Sequence, residues 1–136
     1  MAMTAQEAQL SPIAEAGALE PAAALFHSFG DPSRLVILLH LQLGEHRVVD
    51  LMAHLDLSQS TVSKHLTCLK DAGIVSVRPE GRASLYSLAH PEALVHVFAA
   101  AEKLLALTGA EVALCPVHGT ETVARRGERR PDVGEG

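Results

Sequence analysis

Ser58-Gln59-Ser60-Thr61-Val62-Ser63-Lys64-His65-Leu66-Thr67-Cys68-Leu69-Lys70-Asp71-Ala72-Gly73 carries the pattern of one capped amphipathic helix. Val62, Leu66 and Leu69 recur at i, i+4 and i+7, which makes one apolar stripe along a helix. Ser58 precedes the first turn, where its hydroxyl can accept a hydrogen bond from an otherwise unpaired backbone N–H. Gly73 follows the last turn, where a left-handed residue is needed to stop the helix. The face opposite the stripe carries Gln59, Ser60, Ser63, Lys64 and Thr67. Short hydrogen-bonding side chains plus a cation suit base edges and phosphates in a DNA major groove.

The flanking residues give this helix a context. Upstream, Val48 to Leu55 is a short amphipathic segment, joined to it by Asp56-Leu57. A short helix, a tight turn and a second, capped helix form a helix-turn-helix. Downstream, Ile74 to Pro79 and Ser84 to Leu88 read as two strands around Glu80-Gly81-Arg82-Ala83, with Gly81 free to take positive φ in the turn. The expected fold is therefore mainly α with a small β-hairpin wing, a winged helix-turn-helix.

Working outward, Pro21 reads as the first residue of a helix through Ala22, Leu25, Phe26 and Phe29, and Gly30 stops it. Asp31-Pro32 is an N-cap followed by a proline at the first helical position. The helix it opens, Ser33 to Leu43, is apolar on most sides and should be central to the core. Arg34 is placed to bond a neighbouring helix end or an acid. His90-Pro91 starts a last helix, in which Leu94, Val95, Val97, Phe98, Ala101, Leu104, Leu105 and Leu107 spread over too wide a surface for one small domain. A second copy of the chain is the simplest partner, giving a homodimer through the N- and C-terminal helices. Such a pair sets two reading helices about 34–36 Å apart, the spacing of successive major grooves. Residues 1–20 are expected to form an N-terminal arm, 21–112 the DNA-binding and dimerisation domain, and 113–136 a flexible tail. From Gly119 onward few apolar groups remain.

Composition is consistent with one compact domain and narrows the class. Of 136 residues, 48% are apolar but only 3% aromatic, so the core must be aliphatic. There is no GxSxG, phosphate loop or HExxH, so catalysis is not expected. No apolar run is long enough for a bilayer, and no signal-peptide pattern opens the chain. Two distant cysteines do not make a secreted disulfide framework, which points to the cytoplasm. The net charge of −5 argues against nucleic-acid binding only on average. Acids gather toward both ends, whereas Lys64, Lys70, Arg78 and Arg82 mark the reading surface. Phosphates respond to charge within a Debye length of about 10 Å.

The segments DPSRLVILLHL and VVDLMAHLDLSQSTVSKHLTCLKDAGIVSVRPEGRASLYSL resemble the signature of the ArsR/SmtB family of bacterial metal-responsive repressors, over about Leu25 to Leu107. The resemblance implies a dimeric winged-helix repressor that leaves its operator on binding an inducer, usually a metal ion. The DNA-contacting set expected is Ser58, Gln59, Ser60, Thr61, Ser63, Lys64 and His65 from the helix, with Arg78 and Arg82 from the wing.

Cys68 lies roughly 120° from the middle of the apolar stripe at about 100° per residue, so it is not an obvious core cysteine. Cys115 and His118 form a Cys-x-x-His pair that one short turn can bring to a single ion. The expected metal ligands are therefore Cys68, Cys115 and His118, with His65 as an alternative third ligand, shared between subunits. Thiolate donors favour Cd²⁺ or Pb²⁺, with Zn²⁺ also accommodated. Within the family the chain is most similar to the cadmium- and lead-sensing branch, although Ala72 stands where that branch has a second helix cysteine. Arg47-Val48-Val49 stands where other members carry a CVC motif. His90 and Glu92 match part of a last-helix site, but Lys103 and Ala106 do not; Glu92 and His96, at i and i+4, could chelate but read more readily as a solvated or interface pair. His27, His40, His46 and His54 share no spacing and read as surface or interface residues. Two alternatives remain open: a thiol redox or sulfide-responsive repressor of the same fold, and a dimerisation module that binds no DNA.

Overall fold

The computed structural model describes residues 12–115. Among these residues five helices and three strands follow in the order α1 (Pro12–Phe29), α2 (Pro32–Leu41), β1 (His46–Arg47), α3 (Val48–Leu55), α4 (Gln59–Asp71), β2 (Val75–Glu80), β3 (Ala83–Leu88) and α5 (Pro91–Leu107). This is the mainly helical winged helix-turn-helix expected, and α4 is the helix of the opening stretch.

The stripe of α4 is the floor of the core. Val62, Leu66 and Leu69 are each 0% exposed and pack with Ile37, Leu38 and Leu41 of α2, Leu51 of α3, Val75 of β2 and Leu94 and Phe98 of α5. Both ends of α4 are closed as the sequence indicated. The Ser58 hydroxyl accepts from the Thr61 N–H at 3.3 Å. At the other end Gly73 takes φ +80°; its N–H donates to the Lys70 carbonyl at 2.9 Å, and the Ile74 N–H donates to the Leu69 carbonyl at 3.0 Å. These paired bonds are the Schellman arrangement, which spends two otherwise orphaned carbonyls of the last turn.

β2 and β3 pair antiparallel from Val75↔Leu88 to Glu80↔Ala83, leaving Gly81-Arg82 as the two-residue turn. Gly81 has φ +61° and Arg82 is not among the positive-φ residues, the pattern of a type II′ hairpin. Pro79 is tolerated because β2 is an edge strand of the order β1-β3-β2. The third strand, β1, is too short to show in the sequence: two residues, paired as His46↔Tyr86 and Arg47↔Leu85. It ties the entry of α3 to the wing.

One helix start is corrected. Pro21 does not open a helix but lies inside α1, which begins at Pro12. A proline within a helix forfeits one hydrogen bond and crowds the carbonyl four residues back. That residue is Gly17, and the preceding run is rich in alanine, the strongest helix former. The junction to α2 is as read: the Asp31 carboxylate accepts from the Ser33 and Arg34 N–H groups at 2.8 and 3.2 Å. After α5 the chain turns back, and Leu114, 7% exposed, enters the core. Its N–H donates to Glu102 Oε1 at 2.7 Å and its carbonyl accepts from Gln42 Nε2 at 3.4 Å. No helix among the described residues is long and apolar enough to cross a membrane.

Candidate nucleic-acid interface and metal ligands

Burying one stripe of α4 forces the opposite stripe outward. Gln59, Ser60, Lys64 and Thr67 are exposed, and Thr61 and Ser63 are half-buried beside them. Part of this polarity is already committed. Ser58 Oγ lies 2.9 Å from Thr61 Oγ1 and 3.2 Å from Ser60 Oγ, so these three hydroxyls form a cap cluster at the first turn. Thr67 Oγ1 donates to the Ser63 carbonyl at 2.9 Å. Gln59, Lys64 and the Ser63 hydroxyl have no such bond among the described residues.

The wing adds two cations of different standing. Arg82 sits exposed at the hairpin tip with no ion-pair partner among the described residues. Arg78 Nε is 2.9 Å from Glu45 Oε2, which offsets its charge while leaving its side chain 56% exposed. Lys64 on the helix and Arg82 on the wing are therefore exposed cations without an ion-pair partner among the described residues, as is Lys70 near the end of α4.

His65 is placed differently from its neighbours on α4. Its side chain is only 16% exposed, with Nε2 3.9 Å from Asp31 Oδ1 and Nδ1 3.4 Å from an Arg34 guanidinium nitrogen. It faces the α1–α2 junction, not the polar side of the helix. Arg34 closes that junction: its guanidinium donates to the Ser28 and His27 carbonyls at 2.8 Å each, the C-terminal end of α1. Desolvation pushes the Asp31 carboxyl upward, but the Arg34 and Ser33 backbone N–H groups, with the charges of His65 and Arg34, hold it below the ordinary carboxylate value.

Cys68 and Cys115 are both free thiols and both half-buried. Cys68 lies in the second half of α4, and Cys115 directly follows the anchored Leu114. Neither belongs to a group of three close ligand atoms among the described residues. His118 lies outside the described residues. A soft ion held by these thiols therefore needs a further donor, from the chain beyond Cys115 or from a second subunit.

The structure also assembles a cluster that sequence spacing did not reveal. His40, His46 and His54, read above as separate surface or interface residues, come together with one ligand nitrogen of each within 4.8 Å of the others. The His40 and His54 rings stack at 4.1 Å with 13° between planes, and His46 stands 6.0 Å from each at a steep angle. Burial first, and then the neighbouring His54 and His46, lower the pKa of His40 from its ordinary value. Because each ring comes from a different element, no local motif announces the cluster. The sole signal was their number within fifteen residues.

Residues 31–77 match the model of the bacterial regulatory proteins of the arsR family. The chain is 39% identical over 69 residues to the probable mercury resistance operon repressor of Streptomyces lividans, a match over 51% of this chain and 55% of that protein. It thus spans about half the length of that relative. The crystal structure of NolR from Sinorhizobium fredii superposes with a TM-score of 0.60 at 33% identity, over 74% of this chain and 96% of that one. The solution structure of a homodimeric winged helix-turn-helix DNA-binding domain from Mycobacterium bovis, a possible ArsR-family transcriptional regulator, gives 0.58 at 31% identity, over 72% and 94%.

Proposed function

Because the chain belongs to the arsR family of bacterial regulatory proteins, we propose that it acts as a homodimeric repressor that holds double-stranded operator DNA and is released by a thiophilic divalent metal ion. The family makes it a transcriptional regulator and not an enzyme. The observation that carries the DNA reading is the division of α4: an apolar stripe wholly buried, with Gln59, Ser60, Ser63 and Lys64 turned outward next to a wing tipped by Arg82. In this reading the outward residues meet base edges and phosphates in the major groove, and Arg78 and Arg82 reach the flanking backbone. Ser58 and Thr61 hold the first turn, and His65 supports α4 from behind.

The inducer is assigned to Cys68, with Cys115 and His118 of the second subunit. Two free thiols fit the softer ions, Cd²⁺ or Pb²⁺ ahead of Zn²⁺. The mercury-linked name of the Streptomyces lividans relative agrees with a thiophilic ion. A ligand on α4 itself gives an ion leverage on the spacing of the two reading helices, which is how differential binding shifts a two-state equilibrium. To test this, duplex DNA from upstream of the protein's own gene is titrated at low salt, and Cd²⁺, Pb²⁺ or Zn²⁺ is then added. Binding followed by metal-dependent release is expected, with thiolate-to-metal absorbance that falls in Cys68→Ser. Equal absorbance in both proteins removes Cys68 from the site, and absence of DNA binding overturns the repressor reading.

A further inference from the structure

We propose that His40, His46 and His54 form a second metal site, separate from the cysteines and contained within one subunit, for a borderline divalent ion such as Zn²⁺, Co²⁺ or Ni²⁺. The geometry comes from the fold. His40 is in the last turn of α2, His54 in the last turn of α3, and His46 in β1 between them. Their ligand nitrogens already lie within 4.8 Å of one another. Two nitrogens on a tetrahedral ion, each at about 2.0–2.1 Å, stand roughly 3.3 Å apart. His54 is exposed and the other two are half-buried, so the remaining approach of about an ångström or more is asked chiefly of the His54 side chain.

The tautomer of His46 is also set. Its Nδ1 is 2.8 Å from the Gly44 carbonyl, an acceptor, so Nδ1 carries the proton and the Nε2 lone pair is left for an ion. A ring nitrogen bonded to a backbone carbonyl is the usual outer support of a metal-binding histidine. The donor set selects the ion. Three neutral imidazoles without thiolate or carboxylate suit Zn²⁺, Co²⁺, Ni²⁺ and Cu²⁺, and offer little to Mg²⁺ or Ca²⁺ or to thiol-seeking Cd²⁺ and Pb²⁺. Three protein ligands leave the fourth position to water or an exogenous donor.

The position gives the ion a mechanical consequence. β1 pairs with β3 of the wing through His46↔Tyr86, and α3 is the first helix of the helix-turn-helix. An ion here ties α2, α3 and the wing's sheet together inside each subunit. The site rests on its own geometry and stands whether or not the cysteines bind a metal.

Untagged, chelator-stripped full-length protein carrying Cys68→Ser and Cys115→Ser is titrated with Co²⁺. One Co²⁺ per subunit is expected, with visible ligand-field absorption and no sulfur-to-metal charge-transfer band. Adding His54→Ala, at an exposed position that leaves the core intact, weakens binding by more than the roughly 10–100-fold that losing an outer-shell partner costs. It also abolishes the rise in melting temperature that Zn²⁺ produces in the cysteine-free protein, whereas His96→Ala leaves both unchanged. Failure of the cysteine-free protein to bind Co²⁺, or binding unaltered by His54→Ala, overturns the site. A failed release of DNA by Cd²⁺ in the wild type, by contrast, counts only against the cysteine assignment.

Discussion

Asp31 and Arg34 show how much of the architecture rests on single side chains. Asp31 caps α2, Arg34 caps the end of α1, and His65 of α4 reaches both, so three helices meet at one charged knot. The Asp31 cap and the receiving helix end were legible, because Asp-Pro at a helix start and a cation near a helix C-terminus are local signals. The inward turn of His65 was not, because it depends on where α2 lies relative to α4. The depressed Asp31 carboxyl carries a pH signature. Its folded value lies below the unfolded one near 3.8, so its contribution is complete above that value and is lost as pH falls through the lower, folded one. Asp31→Asn should lower the melting temperature at pH 7, and the gap to wild type should close on acidification below about pH 4. A gap of constant size from pH 7 to pH 3 would show that the carboxylate charge contributes nothing.

At the scale of the element, α4 and the wing were readable because their signals are periodic or sit in fixed turns. The stripe, the Ser58 cap, the Gly73 stop and the Gly81 turn each specify one local geometry, and all four are present. What failed were features decided over distance. Pro21 was overridden by the helix-forming alanines before it. β1 exists only because β3 is there to pair with it, and Leu114 is held by Glu102 and Gln42 from other parts of the chain. The His40, His46 and His54 cluster belongs to the same class. Leu66 offers a direct test of the stripe. Leu66→Ala should cost about 2–5 kcal/mol by denaturant unfolding, as for a fully buried leucine. Thr67→Ala, one residue along on the exposed face, should cost under about 0.5 kcal/mol. Similar losses at both positions would contradict the division of α4 into a packed side and an outward side.

For the whole molecule, the surface left over by one subunit is as telling as its core. Leu94 and Phe98 of α5 are buried, with Phe98 edge-on to Phe29 of α1 at 5.5 Å. On other sides of these two helices Leu19, Phe26, Val95, Val97, Leu104 and Leu107 stand exposed. Apolar surface of that extent on two adjacent elements marks an interaction face, and the dimer proposed above would cover it with one self-complementary patch. Leu104 and Leu107 are 65% and 86% exposed within the subunit, so changing both to Asp should leave the fold intact. Light scattering should then report a monomer, and affinity for a two-half-site duplex should fall toward that of a single half-site. A doubly substituted protein that remains dimeric would move the interface elsewhere.

With the outward side of α4 placed against DNA, binding should depend on salt through Lys64. The logarithm of the binding constant for duplex operator DNA is plotted against the logarithm of salt concentration for wild type and Lys64→Ala. Each phosphate contact contributes about 0.9 to the slope. The expected result is weaker binding with a slope flatter by about 1 for each Lys64 removed, hence about 2 for the dimer. Wild-type affinity and an unchanged slope in Lys64→Ala would contradict that placement.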